Sequence, residues 1–186
     1  MATLNILTSW QVLLSALFIS SAALAAVATD PSAAEKAVKA TFLVKFASYI
    51  VWSDNALPAD AAINICVVGP DPFGAVLDRA AMGRETGGRP VVVRRVTSPT
   101  QAVACHLAYL GGSSREVSLA RLALGGRPVV TVSDSRQSSV AAIIHFQLVG
   151  GRVKFDVDTV AASQSNISIS SKLLALARKV RREGTT

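Results

Sequence analysis

"INICVVGPDPFGAVLD", residues 63–78, is the stretch that decides the fold. From Ile63 to Val68 it is apolar apart from Asn64, as expected of a strand covered on both faces. Gly69 breaks the run, and Asp71 with Pro72 reads as an N-cap followed by the first helical position. The pattern predicts a helix from about Pro72 to Met82. Strand, turn and helix in that order form the building unit of a parallel sheet. Gly69 and Gly74 also outline a phosphate-cradling loop, but the chemistry is wrong for one. Such a loop presents backbone N–H groups and a lysine to the anion. Here Pro70 and Pro72 remove two donors, and Ala75 and Val76 follow Gly74 where Lys and Ser/Thr would stand. No GxGxxG is present. The stretch is architecture.

Upstream, "PSAAEKAVKATFLVKFASYIVW" (31–52) places apolar residues at 38, 42, 43, 46, 47 and 50. That spacing predicts an amphipathic helix ending near Trp52. Ser53, Asn55 and Pro58 then mark a loop. Downstream, "GGRPVVVRRV" is a turn feeding a second strand, "SPTQAVA" a short helix and "CHLAYLG" a third strand. "SREVSLARLAL" is a helix, and "GGRPVVTVSD" is a turn feeding a fourth strand. The repeated "GGRPVV" (87–92 and 125–130) is turn chemistry rather than a duplicated ligand loop: glycines turn the chain and proline opens the strand. "AIIHFQLVGGRVKFDVD" (142–158) alternates on either side of Gly150-Gly151, a two-residue hairpin signal. The implied register pairs Ile144 with Val157, Phe146 with Phe155 and Leu148 with Val153 on a core face. His145 with Asp156 and Gln147 with Lys154 fall on a wet face. A last helix is predicted over about Ser170–Arg182, with Leu173, Leu174, Leu176, Ala177 and Val180 along one stripe. The fold class that results is α/β: a mostly parallel, Rossmann-like sheet with helices on both faces, ending in an antiparallel hairpin.

The chain has 186 residues, and its first charged side chain is Asp30. "WQVLLSALFISSAALAAVA" (10–28) has an apolar centre and ends in two small-x-small sites, Ala23–Ala25 and Ala26–Ala28. Residues 1–28 therefore read as a cleaved signal peptide, and residues 29–186 as a single exported domain. The rival reading is an uncleaved anchor, because the run almost suffices to span a bilayer. It is diluted by Ser15, Ser20 and Ser21, and no Lys or Arg precedes it. Every Lys and Arg lies in the mature part, which carries the formal charge of +7. That charge favours acidic proteins or anionic headgroups as partners over nucleic acid.

Catalytic constellations are sparse. The chain has only two histidines, His106 and His145, few for a metal centre. Cys105 and His106 are consecutive in a predicted strand and point to opposite faces. "SDS" (133–135) offers a serine with no nucleophile elbow around it. No cofactor is implied, and a non-enzyme is expected. Cys66 and Cys105 are the chain's two cysteines, and an even count in an exported chain favours a disulfide. In a strand order 2-1-3 the first and third strands are neighbours. A bridge between them could then meet the usual Cα separation of about 4.4–6.8 Å. It would close a loop of about 40 residues and stabilise by roughly 4 kcal/mol. The alternative is a pair of buried thiols.

Taken in order, "KATFLVKFASYIVW", "ICVVGPDPFGAVLD", "GGRPVVVRRV", "ACHLAYLG", "GGRPVVTVSD", "HFQLVGGRVKFDVD" and "ISISSKLLALARKV" resemble the YfiR/HmsC family of bacterial periplasmic proteins. The resemblance runs from about residue 36 to 181. It implies a non-enzymatic periplasmic regulator that binds the periplasmic sensor region of an inner-membrane diguanylate cyclase and represses it. Cyclic di-GMP, exopolysaccharide and biofilm output would then be lowered. An outer-membrane lipoprotein is implied as a further partner, and a homodimer as an assembly. Cys66 and Cys105 fall where family members have a cysteine pair; a second, closely spaced pair known in some relatives has no counterpart here. The partner-binding residues that the resemblance points to are Phe146, Asp156, Asp158, Ile167 and Ile169. The hairpin register, however, places Phe146 on the core face. A function of a different class also fits: a periplasmic small-molecule-binding domain, its ligand at the carboxyl ends of the parallel strands.

Overall fold

The computed structural model describes residues 30–184. The predicted leader and its cleavage sites lie outside them. Helix α1 (Pro31–Phe46) is capped by Asp30, whose carboxylate accepts the Ser32 N–H at 2.9 Å, with Pro31 at its start. It buries Ala40, Leu43 and Phe46. The helical spacing continues past Phe46, but the chain does not. A 3-10 turn (Ala47–Tyr49) leads into strand β1 (Ile50–Val51), which pairs antiparallel with β9 (Ser168–Ile169). Ile50 and Val51 are β-branched, and pairing across a small ladder suits them better than another helical turn. Ile50 stays in the core either way.

Among the described residues the main sheet has eight strands, in the order β10 (Lys179–Arg181), β8 (Arg152–Asp158), β7 (Ile144–Val149), β6 (Val130–Asp134), β5 (Leu107–Leu110), β2 (Ile63–Val68), β4 (Arg89–Val96) and β3 (Glu85–Thr86). At its centre β2 (Ile63–Val68) runs parallel to both β4 (Arg89–Val96) and β5 (Leu107–Leu110). Next come β6 (Val130–Asp134) and β7 (Ile144–Val149), also parallel. β8 (Arg152–Asp158) returns antiparallel to β7. Every hairpin pair named from the sequence is present in that register, from Ile144↔Val157 to Val149↔Arg152. Helices cover both faces. α1 and α2 (Ala75–Ala81) lie over Ile65, Val67, Tyr109, Val132 and Phe146, whereas α3 (Ser114–Leu124) lies over Val68, Ala108 and Leu110. α3 begins with the reciprocal capping of Ser113 and Glu116. The expected α/β class, mostly parallel with an antiparallel hairpin, is the observed one.

Four local expectations need correction. α2 starts at Ala75, not Pro72. Asp71 folds its carboxylate onto the Phe73 N–H (2.7 Å), and Gly74 enters the helix at φ +50°. The short helix expected in "SPTQAVA" is 3-10, Pro99–Ala104. The first "GGRPVV" does more than end a helix. Gly87 and Gly88, at φ +58° and +75°, are the two-residue loop of a small hairpin between β3 (Glu85–Thr86) and β4. The last helix divides into α5 (Ser171–Leu176) and a final strand β10 (Lys179–Arg181) parallel to β8. A helix through Arg182 would leave the outer backbone groups of β8 unpaired; the strand satisfies them. Between β8 and β9 lies a short helix α4 (Thr159–Gln164), capped by Asp158.

Candidate partner-binding surface

The two faces of the β7–β8 hairpin have different characters, and the first is core. Phe146 and Phe155 face Phe46 of α1, with ring centroids 5.8 and 5.1 Å from it, and Phe42 joins them at 6.2 and 5.6 Å. Each such ring stabilises the fold by about 1.5–3 kcal/mol through burial. Phe146 is fully buried, so it supports the surface from beneath and makes no outward contact. Ile167 is likewise in the core. Ile169, in β9, is half-buried against the same core. Of the five residues named for partner binding, only Asp156, Asp158 and Ile169 reach solvent.

Asp156 and Asp158 belong to the other face and are half-buried. Both are already occupied. Arg178 grips the two oxygens of Asp156, and Arg181 binds Asp158 at 2.8 Å. These two pairs lie along the register that docks β10 on β8. The second Asp158 oxygen accepts the Ala161 N–H at 3.0 Å, capping α4. Each carboxylate is therefore structural as well as surface, so reversing its charge would disturb local folding. Lys154, Arg152 and Val149, at the turn end of the hairpin, are exposed. No hydrogen bond or ion pair holds their side chains among the described residues.

His145 does not share the wetness expected of its face. It is 6% exposed, and its Nδ1 lies 2.6 Å from Ser133 Oγ. Burial holds the ring below the usual histidine pKa, against the opposing pull of Asp156 and Asp134. Ser133, His145 and Asp156 are in register across β6, β7 and β8. They are not a nucleophilic triad, however. Ser133 is inaccessible at 0% exposure, and Asp156 is turned to Arg178 rather than to the ring. His106 is also structural: Nδ1 accepts the Asn64 N–H at 2.9 Å, and Nε2 lies 3.1 Å from the Ala56 carbonyl.

At the carboxyl ends of the parallel strands, where a ligand crevice was the alternative expectation, two loops meet in contact. A Cβ on Gly111 would stand 2.0 Å from the Pro70 carbonyl oxygen. Asp71 is held by Arg95 at 3.0 Å, and the same guanidinium binds Asp78. Nearby, Lys39 of α1 is buried against Asp134 (2.5 Å) and Glu35. Sequence reading missed this ion pair. Its one signal was a lysine immediately before the buried stripe of α1, four residues after Glu35. The larger opening lies elsewhere, between α1 and the hairpin. It is a groove of about 860 Å³ lined by Val38, Phe42, Leu148 and Val153, with Arg136 and Arg152 at its rim.

Cys66 and Cys105 form a disulfide with a Cα separation of 6.0 Å. Cys105 sits just before β5, at the end of the 3-10 turn, rather than within the strand. The bridge ties that turn to the central strand under α3. No helix of the described residues is long and apolar enough to cross a membrane. A family model described as YfiR/HmsC-like matches residues 36–178.

Proposed function

The chain belongs to the YfiR/HmsC-like family, and from that premise we propose that it is a periplasmic, non-catalytic regulator of cyclic di-GMP signalling. It binds the periplasmic sensor region of an inner-membrane diguanylate cyclase and represses it, which lowers exopolysaccharide and biofilm output. The observation that carries this reading is the hairpin end of the sheet. One side is an apolar groove with arginines at its rim, and the other carries the exposed Val149, Arg152 and Lys154. A groove next to a polar, partly open face is the usual anatomy of a protein-binding patch. The exposed residues Lys154, Arg152 and Val149, with Asp156 and Asp158 of the same hairpin and Ile169 of β9, form the proposed contact surface. An outer-membrane lipoprotein that sequesters the regulator, and a homodimer, are further associations in the same proposal.

A protein outside the cytoplasm alters cyclic di-GMP synthesis only by binding one state of a membrane partner more tightly than the other. Hundredfold restraint corresponds to a differential of about 2.7 kcal/mol, which a few good contacts supply. Deleting the gene should raise cyclic di-GMP. Complementation with the wild-type chain should reverse that rise, whereas complementation with Arg152→Glu/Lys154→Glu should not, although the variant folds normally. Unchanged cyclic di-GMP after deletion, with the partner cyclase expressed, removes the proposal.

A further inference from the structure

Helix α3 covers one side of the sheet, with Val117, Ala120 and Leu124 buried beneath it. Its outermost line is Arg115, Leu119 and Leu122, a spacing that keeps side chains on one helical face. Leu119 is 56% exposed, and Leu122, at 78%, is the most exposed large apolar side chain among the described residues. Val103, in the 3-10 turn packed beside α3, is exposed as well. Lys, Gln or Glu would serve the helix equally well at the two leucine positions. The leucines therefore add nothing to the fold that a polar side chain would not.

The charges around them are mostly of one sign. Arg115 and, just past the helix, Arg127 are exposed, and no hydrogen bond or ion pair holds their side chains among the described residues. Arg94 of β4 is in register with Cys66, which packs under α3, so it belongs to the same side. Along β8, Arg152 and Lys154 alternate with Val153 and Phe155 of the opposite core and fall on this side too. The carboxylates that α3 and β8 place here are engaged: Glu116 in the Ser113 cap, Asp156 with Arg178 and Asp158 with Arg181. What remains is an outward apolar pair set among uncompensated cations. We infer that this side of the molecule lies against an anionic lipid surface, with Leu119 and Leu122 entering the boundary between headgroups and acyl chains. Shallow insertion needs few apolar side chains and gains from every nearby cation. The cations of the sheet, set back from the helix, add through their field. A stable protein interface needs roughly 800 Å² per partner around a well-packed apolar centre. Two leucines and a valine standing out from a helix are a small centre for that. The inference does not rest on the cyclase reading.

The test is co-flotation of the mature chain with vesicles of phosphatidylcholine, alone or mixed equally with phosphatidylglycerol, at low and high salt. Binding should require phosphatidylglycerol and fall steeply as salt rises. Leu119→Gln/Leu122→Gln should weaken partition onto the anionic vesicles about tenfold, and Arg115→Gln/Arg127→Gln should do so by a similar factor. All four residues are exposed, so both variants should keep the fold, which circular dichroism checks. Lys45→Gln/Arg79→Gln removes two exposed cations from α1 and α2, across the sheet, and should change partition little. The inference fails if anionic vesicles do not float the chain at low salt, or if neutral vesicles bind it equally. It fails if the leucine pair has no effect, or if the α1 and α2 cations matter as much as Arg115 and Arg127. It fails too if the leucines instead hold two copies together in sedimentation without lipid. Because no cyclase enters the measurement, its outcome is separate from that of the repression experiment.

Discussion

At the residue scale, the disulfide and the two histidines make sharp predictions. Replacing Cys66 and Cys105 with serine should lower stability by about 2–5 kcal/mol in denaturant titrations. Thiol reagent applied to the unfolded, unreduced chain should label neither cysteine. His106 and His145 both have depressed pKa values, with burial as the main cause. A histidine depressed in the fold binds protons more weakly than in the unfolded chain. Its stabilising effect is complete above the unfolded pKa of about 6.5 and declines as pH falls below it. Denaturation midpoints should therefore drop between pH 7 and pH 5. His106→Gln should flatten that drop while costing stability at pH 7. The cysteine pair was legible because the expected compartment and the resemblance agreed on it, although Cys105 lies just outside the strand expected to carry it. The burial of His145 was not. Alternation along a strand fixes which face a side chain takes, but not which distant loop, here Ala141–Ala142, comes to lie beside it.

At the element scale, α1 is fastened to the sheet by apolar rings and by one buried ion pair, Lys39–Asp134. Lys39→Ala would leave the Asp134 carboxylate buried without its cation, so a loss of about 3–5 kcal/mol is expected. The double change Lys39→Met/Asp134→Leu should recover most of it, because a buried pair replaced by apolar volume is often neutral. Denaturant unfolding of the two variants side by side checks this. Elements defined by their own periodicity were readable: α3, the central strands and the hairpin register. Those made by pairing with a remote segment were not. "SKLLALARKV" has a helical stripe, and only the open edge of β8 turns its end into a strand. Ile50–Val51 likewise becomes a strand because Ser168–Ile169 lies alongside.

At the scale of the whole molecule, the alternation of strand and helix made a mostly parallel sheet legible, and the supposed neighbourhood of the first and third strands is that of β2 and β5. The order of the remaining strands was not read, and the short outer strands β3 and β10 were missed. Family resemblance pointed to Phe146 and Ile167, which the packing buries, while the exposed residues around them carried no motif. Export is tested directly. Mass spectrometry of periplasmic protein should show chains beginning at Ala26 or Thr29, and a full-length membrane-embedded chain would contradict it.

The ion pair between Lys39 and Asp134 joins residues 95 apart, and Phe42 of the same helix meets a ring of β8 edge-on. Helix α1, the first element of the described residues, has its docking surface completed only by strands from the last third of the chain. Contacts of such long sequence separation slow folding. Until β8 arrives, α1 shows its apolar stripe to whatever surrounds it. Refolding from denaturant should accordingly be slow for a chain of this size. A fragment that stops before Ile144 should fail to bury Phe46, and should depend on holding chaperones during passage to its compartment.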